Sequence, residues 1–106
     1  MPKYLLKVSY TAEGVKGVLK DGGTKRRQAA DAAIKSAGGK LESMYFAFGE
    51  DDVYCIIDAP DNVSVAAAAM TIGASGMVKG QTVVLLTAEE IDQAAKKGAT
   101  YTPPGR

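Results

Sequence analysis

Four residues of this sequence combine a carboxylate, an amine and two phenols that alternating strands would bring to one surface. Tyr54 and Asp58 are four residues apart, and Lys7 and Tyr45 lie in two other stretches of strand-forming residues. Residues two and four positions apart on a strand point to the same face of a sheet. A poorly solvated aspartate beside a lysine and phenols can act as a general acid or base on a small organic substrate. The alternative is that these groups satisfy one another's hydrogen bonds in an interface.

A second candidate is an anion site at residues 20–27, KDGGTKRR, where two glycines precede a predicted helix start. Lys25, Arg26 and Arg27 are the candidate ligands, because free amides and the helix dipole favour anions at a helix start. The segment lacks the spacing of a phosphate-binding P-loop. The alternative is a glycine break followed by a solvated, charged turn.

The acidic run Glu50-Asp51-Asp52 raises the question of a metal site. Calcium usually takes six or more oxygen ligands, which a short turn does not offer, so we predict no metal here and interpret the run as the solvated tip of a hairpin. Gly49 and Asp52 are expected to shape this turn, Gly49 through an unusual backbone angle and Asp52 by accepting hydrogen bonds from turn amides.

The composition excludes several classes of chemistry. The chain has no histidine, which excludes histidine-containing triads and ordinary histidine-bearing zinc sites. Its 13 basic and 12 acidic residues nearly cancel, which disfavours nucleic acid as a partner. The single Cys55 is expected to be a buried, inert thiol, since no histidine is present to activate it. We expect no cofactor.

The cellular location is also predicted from the sequence. The N-terminal MPKYLLKVSY lacks the long apolar segment of a secretory signal, and a lone cysteine cannot form an internal disulfide. The longest uncharged run, residues 62–78, is short of the roughly 20 apolar residues that span a bilayer. These features predict a cytoplasmic protein without a membrane helix.

The periodicity predicts one domain with the order strand, helix, strand, strand, helix, strand and an added helix. This order is typical of an α+β, ferredoxin-like βαββαβ sheet with helices on one face. The first helix is expected to be bent or interrupted at Asp21-Gly22-Gly23, and Thr87-Ala88-Glu89-Glu90 has the spacing of a capping box. The predicted ranges are strands 3–10, 40–48, 53–59 and 80–87, a second helix from 61 or 62 to about 75, and an extended tail at 98–106.

The two faces of the predicted sheet differ in character. With Phe48 opposite Val53, the face toward the helices would collect Met44, Phe46, Phe48, Val53, Cys55 and Ile57. Ile91, Ala94 and Ala95 of the last helix are expected to point inward. The opposite face, with Leu5, Tyr45, Tyr54 and Ile56, would be an exposed apolar patch on a monomer. We therefore predict a homodimer, or a higher homo-oligomer, in which two sheets meet face to face.

Three stretches of the sequence resemble the GYD domain family of small bacterial proteins: YLLKVSYTAEGVKGVLKDGG, GGKLESMYFAFGEDDVYCIIDAPD and TVVLLTAEEIDQAAKK. The resemblance covers nearly the whole chain and implies a ferredoxin-like fold with a dimeric α/β-barrel assembly. The family is named for a glycine, a tyrosine and an aspartate at the hairpin. Gly49 and Asp52 match, whereas Asp51 stands where the tyrosine is expected.

Two functions remain open from the sequence. The first is a homodimeric module that binds a small metabolite or has a structural or regulatory role. The alternative is a cofactor-free enzyme of the dimeric-barrel kind, such as a monooxygenase or isomerase, which rests on an analogy of fold. No catalytic motif is present, so the balance leans away from an enzyme.

Overall fold

Four antiparallel strands form a single sheet, ordered β2-β3-β1-β4, in a computed structural model that describes residues 1–106. The predicted α+β, ferredoxin-like order is confirmed. The elements are β1 (Lys3–Tyr10), α1 (Ala12–Ser36), β2 (Lys40–Phe46), β3 (Val53–Asp58), α2 (Asn62–Gly73), β4 (Val78–Leu85) and α3 (Ala88–Lys97).

Alternation along β1 separates the two faces of the sheet. Tyr4, on the face toward the helices, is buried, and its hydroxyl donates to Asn62 Oδ1 at 2.7 Å, which ties the start of α2 to the central strand. Leu6, Val8 and Tyr10 pack against the core on the same face. The core consists of ten buried side chains from the sheet, α1, α2 and the residue after β3: Tyr4, Ile34, Leu41, Met44, Val53, Cys55, Ile57, Ala59, Val65 and Ala68.

The predicted register of the hairpin is wrong by two residues. Val53 pairs with Phe46, not with Phe48, because β2 ends at Phe46 and the loop takes up residues 47–52. A shift of two preserves the faces, so Met44 is still buried, but Phe48 is fully exposed in the loop. An irregularity between Leu41 and Ser43 then brings Leu41 onto the core face.

The first helix is interrupted at Gly22, within the segment where the sequence predicted a break. Gly22 has a φ of 80° and a ψ of 171° inside α1, a conformation that a side chain would oppose. The start of α1 is held against β4, since Thr11 N donates to Met77 O at 2.9 Å. A Cβ on Gly14 would overlap that same carbonyl oxygen, so only glycine permits this close approach.

The third helix departs from the prediction in its packing. Its capping box is confirmed: Glu90 N donates to Thr87 Oγ1 at 3.1 Å and Thr87 N donates to Glu90 Oε1 at 2.9 Å. None of its residues is buried, however, so the expectation that Ile91, Ala94 and Ala95 point into the core is wrong. The helix extends away from the sheet.

The chain buries little of itself. Only 11 of the 106 residues are buried, and the radius of gyration is 16.8 Å, whereas about 13 Å is typical of a compact domain of this length. Every residue of α3 and of the irregular tail 98–106 is exposed. No helix has the length and apolar character needed to cross a bilayer.

Candidate functional site

Three of the four candidate acid-base residues lie in one row across the open face of the sheet. Lys7 on β1 pairs with Tyr54 on β3, and Tyr54 pairs with Tyr45 on β2. Asp58 is four residues along β3 from Tyr54, which places it about 13 Å away along the strand. The structure therefore brings Lys7, Tyr45 and Tyr54 together and leaves Asp58 outside that row.

Asp58 belongs to an ionic cluster with a different lysine. Lys3 Nζ donates to Asp58 Oδ1 at 2.8 Å and to Glu42 Oε2 at 3.2 Å. Hydrogen bonding to Asp58, and then to Glu42, raises the pKa of Lys3. Lys3 was missed as a site residue, although its position opposite Asp58 follows from the pairing of β1 with β3.

The acidic turn is bound to β1. Asp51 Oδ2 lies 3.6 Å from Lys7 Nζ, and Ser9 Oγ donates to the carbonyl of Glu50 at 3.0 Å. The carboxylate of Asp52 accepts a hydrogen bond from Tyr10 N at 2.8 Å, so it holds the end of β1 and not the amides of its own turn.

The expectation for Gly49 is wrong. Its φ is not positive, and a Cβ there would meet open space, so nothing in this turn requires a glycine at that position. No three acidic or cysteine side chains converge as metal ligands anywhere in the chain.

The candidate acid-base residues of the open face do not line the main cavities of a single chain. None of the five main cavities is lined by Lys7, Tyr45, Tyr54 or Asp58. On this face, Leu5 pairs with Ile56 on one side and with Val83 on the other, which gives an apolar row between the Lys3 cluster and the Lys7 row.

An apolar cavity lies on the other side of the sheet, beneath α1. Its volume is about 100 Å³, and 13 of its 14 lining residues are hydrophobic. Alanines form the helix wall, so the small side chains of α1 leave room above the sheet. The main lining residues are Ala29, Ala30 and Ala33 from α1 and Leu6, Val8, Met44 and Cys55 from the sheet.

A wider cavity of about 300 Å³ adjoins this apolar one. Both are lined by Tyr10, Arg26, Ile72 and Val78, so these residues lie at the boundary between the two cavities. Arg26 is the one charged residue on the apolar cavity. Glu13 lies on the outer cavity, where Lys16 Nζ approaches its carboxylate at 3.4 Å. We call the two cavities together the α1 cavity.

The three predicted anion ligands separate in space. Lys25 is exposed, Arg27 Nη1 donates to the carbonyl of Met44 at 3.4 Å, and Arg26 lies half-buried at the α1 cavity. The cation in each ion pair of the chain is a lysine, so Arg26 has no carboxylate partner. Only Arg26 thus combines a guanidinium with an enclosed apolar space.

Burial controls the ionisation of two groups at this cavity. It raises the pKa of Tyr10, and the neighbouring positive charge of Arg26 acts in the opposite direction. Burial also raises the pKa of Cys55 to about 11, so the thiol is protonated at neutral pH. Tyr10 is therefore a neutral hydrogen-bond donor beside a cation, and Cys55 is a small apolar wall.

The sequence contained a signal for this site. Ala29, Ala30 and Ala33 share the inner face of α1, and Arg26 is three residues before Ala29 on the same face. A charged residue at the end of an alanine stripe indicates a cation that borders the core. That pattern distinguishes Arg26 from Lys25 and Arg27, whereas composition alone does not.

Solved structures share this fold. A crystal structure of MtbAldR matches with a TM-score of 0.55 and 17% identity over 81% of this chain and 52% of that one. The leucine response regulatory protein LrpA of Mycobacterium tuberculosis matches with a TM-score of 0.50 and 11% identity over 82% of this chain and 51% of that one. The chain thus spans about half the length of each, and at these identities the likeness concerns the fold. A search of curated proteins found no match.

The family assignment rests on the sequence. A model of the GYD domain matches residues 4–95, which extend from β1 into α3 and include both the α1 cavity and the open face of the sheet. The predicted resemblance is confirmed, and this chain belongs to the GYD domain family.

Proposed function

We propose that the protein is a homodimeric module that binds a small organic molecule with an apolar body and an anionic group in the α1 cavity. The observation that carries the proposal is the half-buried Arg26, which borders an apolar cavity and has no carboxylate partner in the chain.

The chemistry of the site favours a carboxylate or similar anion. A guanidinium offers paired N–H donors that match the geometry of a carboxylate, and Tyr10 adds a hydroxyl at the same boundary between the cavities. The inner space of about 100 Å³ is smaller than the roughly 150 Å³ of an engineered apolar cavity that binds benzene, and the adjoining outer cavity adds about 300 Å³. Ligand pockets generally combine such apolar walls with a few polar groups that fix orientation.

Assembly through the open face of the sheet is the second part of the proposal. A row of apolar side chains, Leu5, Ile56 and Val83, crosses the centre of a face that no helix of the chain covers. The small number of buried residues supports the same conclusion, since a dimer would enlarge the core. The LrpA neighbour is named as a leucine response regulator, but its low identity limits that likeness to the fold, so the proposal rests on the cavity.

Binding is tested by titration calorimetry with a panel of small acids. We expect benzoate, phenylacetate and hexanoate to bind, and the matching primary amides to bind at least tenfold more weakly. Arg26→Gln should remove the preference for the acid. Lys25→Gln is the matched control, because it makes the same charge change at the adjacent exposed position. Equal affinity for acids and amides, or no heat with any of them, would overturn the ligand assignment.

The dimer is tested by light scattering at micromolar concentration. We expect the mass of at least two chains for the unaltered protein and a lower average mass for Leu5→Asp. Leu19→Asp, at a highly exposed position of α1, should leave the mass unchanged. A monomer for the unaltered protein would contradict the assembly without affecting the binding result.

A further inference from the structure

The C-terminal helix has an apolar stripe that nothing in its own chain covers. Ala88, Ile91, Ala94 and Ala95 lie within about 120° of one another around α3, since successive residues are 100° apart. Every charged residue of the helix lies outside that arc. No residue of α3 is buried, and Ile91 is 52% exposed. An amphipathic helix with this pattern normally packs its apolar stripe against another surface.

The second helix, α2, is apolar on all sides but is largely exposed. α2 contains no charged residue in its 12 positions, yet only Val65 and Ala68 are buried. Its outward stripe, Val63, Ala66, Ala67 and Met70, has the i, i+3, i+4, i+7 spacing of a packing face. Val63 is 78% exposed and Met70 is 73% exposed. A helix that is apolar on all sides is typically buried, so α2 lacks a covering element.

A groove runs between α2 and the edge strand β4. Its volume is about 370 Å³, and its walls include Ala66, Ala69 and Met70 from α2 and Thr82 and Val84 from β4. None of its lining residues is charged. The alanines allow the backbone of an incoming helix to approach closely.

We propose that α3 of one copy docks into the α2–β4 groove of a second copy. The uncharged stripe of α3 matches the uncharged groove and leaves the acidic and basic side chains of α3 in solvent. The lengths also match, since the 10 residues of α3 extend about 15 Å and the 12 residues of α2 about 18 Å. Both surfaces occur once in each chain, so reciprocal exchange covers both without a further partner.

The start of α3 favours a second copy over the groove of its own chain. One residue, Leu86, separates the end of β4 from the N-cap Thr87. The capping box fixes the first turn, and Leu86 and Ile91 have the N′ and N4 spacing of a hydrophobic staple, which sets the entry angle of the chain. With so short a link, α3 continues away from its own sheet, and none of its residues is buried.

Disulfide trapping tests this contact directly. Two variants are made in a Cys55→Ala background, one with Ile91→Cys and one with Met70→Cys, then mixed in urea, refolded together and mildly oxidised. We expect a disulfide between the two different chains, at several times the yield obtained when Leu19→Cys replaces Met70→Cys. Leu19 is the matched control because it is an apolar residue on α1 of similar exposure, 81% against 73% for Met70. Equal yields in the two mixtures would overturn the proposal.

A double variant, with Ile91→Cys and Met70→Cys in one chain, distinguishes docking of α3 on a second copy from docking of α3 in the groove of its own chain. Exchange predicts covalent dimers on a non-reducing gel, whereas a monomer with an internal disulfide would overturn the proposal in favour of docking within one chain.

The charge variant Ile91→Asp gives an independent measurement. It should weaken self-association at least tenfold in sedimentation equilibrium and leave the circular dichroism of the sheet unchanged, because α3 adds nothing to the core of its own chain. Gln93→Asp, on the polar side of the same helix, should have no such effect. Equal association constants for the two variants would contradict the proposal. This contact is separate from the open sheet face, which Leu5→Asp tests.

Discussion

The two faces of this sheet are built from the same strands but differ in what covers them. The covered face is closed by α1 and α2 and holds the buried core, with the α1 cavity at one end. The open face alternates an apolar row with ionic groups, and no helix of the chain covers it. Alternation divides each strand equally between the two faces, while helix packing decides which face becomes the core. We therefore expect substitutions on the covered face to reduce the stability of the chain, and those on the open face to affect its assembly.

The largest contrast is expected at two adjacent isoleucines of β3. Ile57, which is 1% exposed, points into the core, whereas Ile56 is part of the open apolar row. Ile57→Ala should lower the free energy of unfolding by about 2–5 kcal/mol at any protein concentration. Ile56→Ala should cost about 1 kcal/mol or less, and its cost should depend on concentration, since it acts on the dimer. Urea denaturation at two concentrations measures both; identical, concentration-independent losses would remove the distinction between the faces.

The next contrast is expected between two glycines in the first turns of α1, Gly14 and Gly17, of which only Gly14 contacts the segment before β4. Gly14→Ala places a Cβ against the carbonyl of Met77 and should lower the free energy of unfolding by about 1–3 kcal/mol. Gly17→Ala, three residues on, meets nothing within 4 Å and should stabilise the helix by up to about 1 kcal/mol. Thermal unfolding of the two variants should therefore shift in opposite directions. A loss of stability in both would show that the approach to β4 is not the cause.

A smaller effect is expected from the thiol on the covered face. The pKa of Cys55 is about 11 in the fold, against 9.0 for an unperturbed thiol. Between these two pH values the unfolded chain loses a proton that the folded chain retains, so the free energy of unfolding should fall as pH rises, on the order of 1 kcal/mol. Below pH 9 both states are protonated and this contribution does not change. Cys55→Ala should show a shallower decline over the same range; an identical decline would contradict the assignment.

The smallest effect is expected from an ion pair of the open face. Asp51→Asn removes the approach of a carboxylate to Lys7 at 3.6 Å. Partly exposed pairs of this kind contribute about 0–1 kcal/mol, and salt screens them. Urea denaturation at low and high salt should show a loss below 1 kcal/mol that shrinks as salt is added. A larger loss, unaffected by salt, would mean that the acidic turn is a structural element of the fold.

Much of the fold could be predicted from local patterns. Alternation in β1, the glycines at the bend of α1 and the capping box of α3 are local signals, and the structure contains all three. The hairpin register was missed because several strand-forming residues follow Phe46, so the pattern alone does not show where pairing stops. A two-residue shift leaves the faces unchanged, which is why Met44 was still assigned to the core correctly.

The candidate site was harder to predict because it depends on distances between segments. Lys7, Tyr45 and Tyr54 were assigned to one face by their alternation, and they do share a row. The partner of Asp58 is Lys3, which follows only from the pairing of β1 with β3. Arg26 was named as one of three similar cations. Its position on the alanine stripe separates it from Lys25 and Arg27, but only the packing of α1 over the sheet shows that this stripe borders a cavity.

The order of elements, the two faces of each strand, the bend of α1 and the cap of α3 were readable in the sequence, because backbone preferences and the period of the apolar residues are properties of short segments. The GYD family was indicated separately, by the resemblance of three stretches of the chain. The exposure of α3, the position of Arg26 at a cavity and the hydrogen bond from Tyr10 N to the Asp52 carboxylate became evident only from the folded chain. Those features depend on where distant segments meet, which the packing of the whole chain sets and no short stretch encodes.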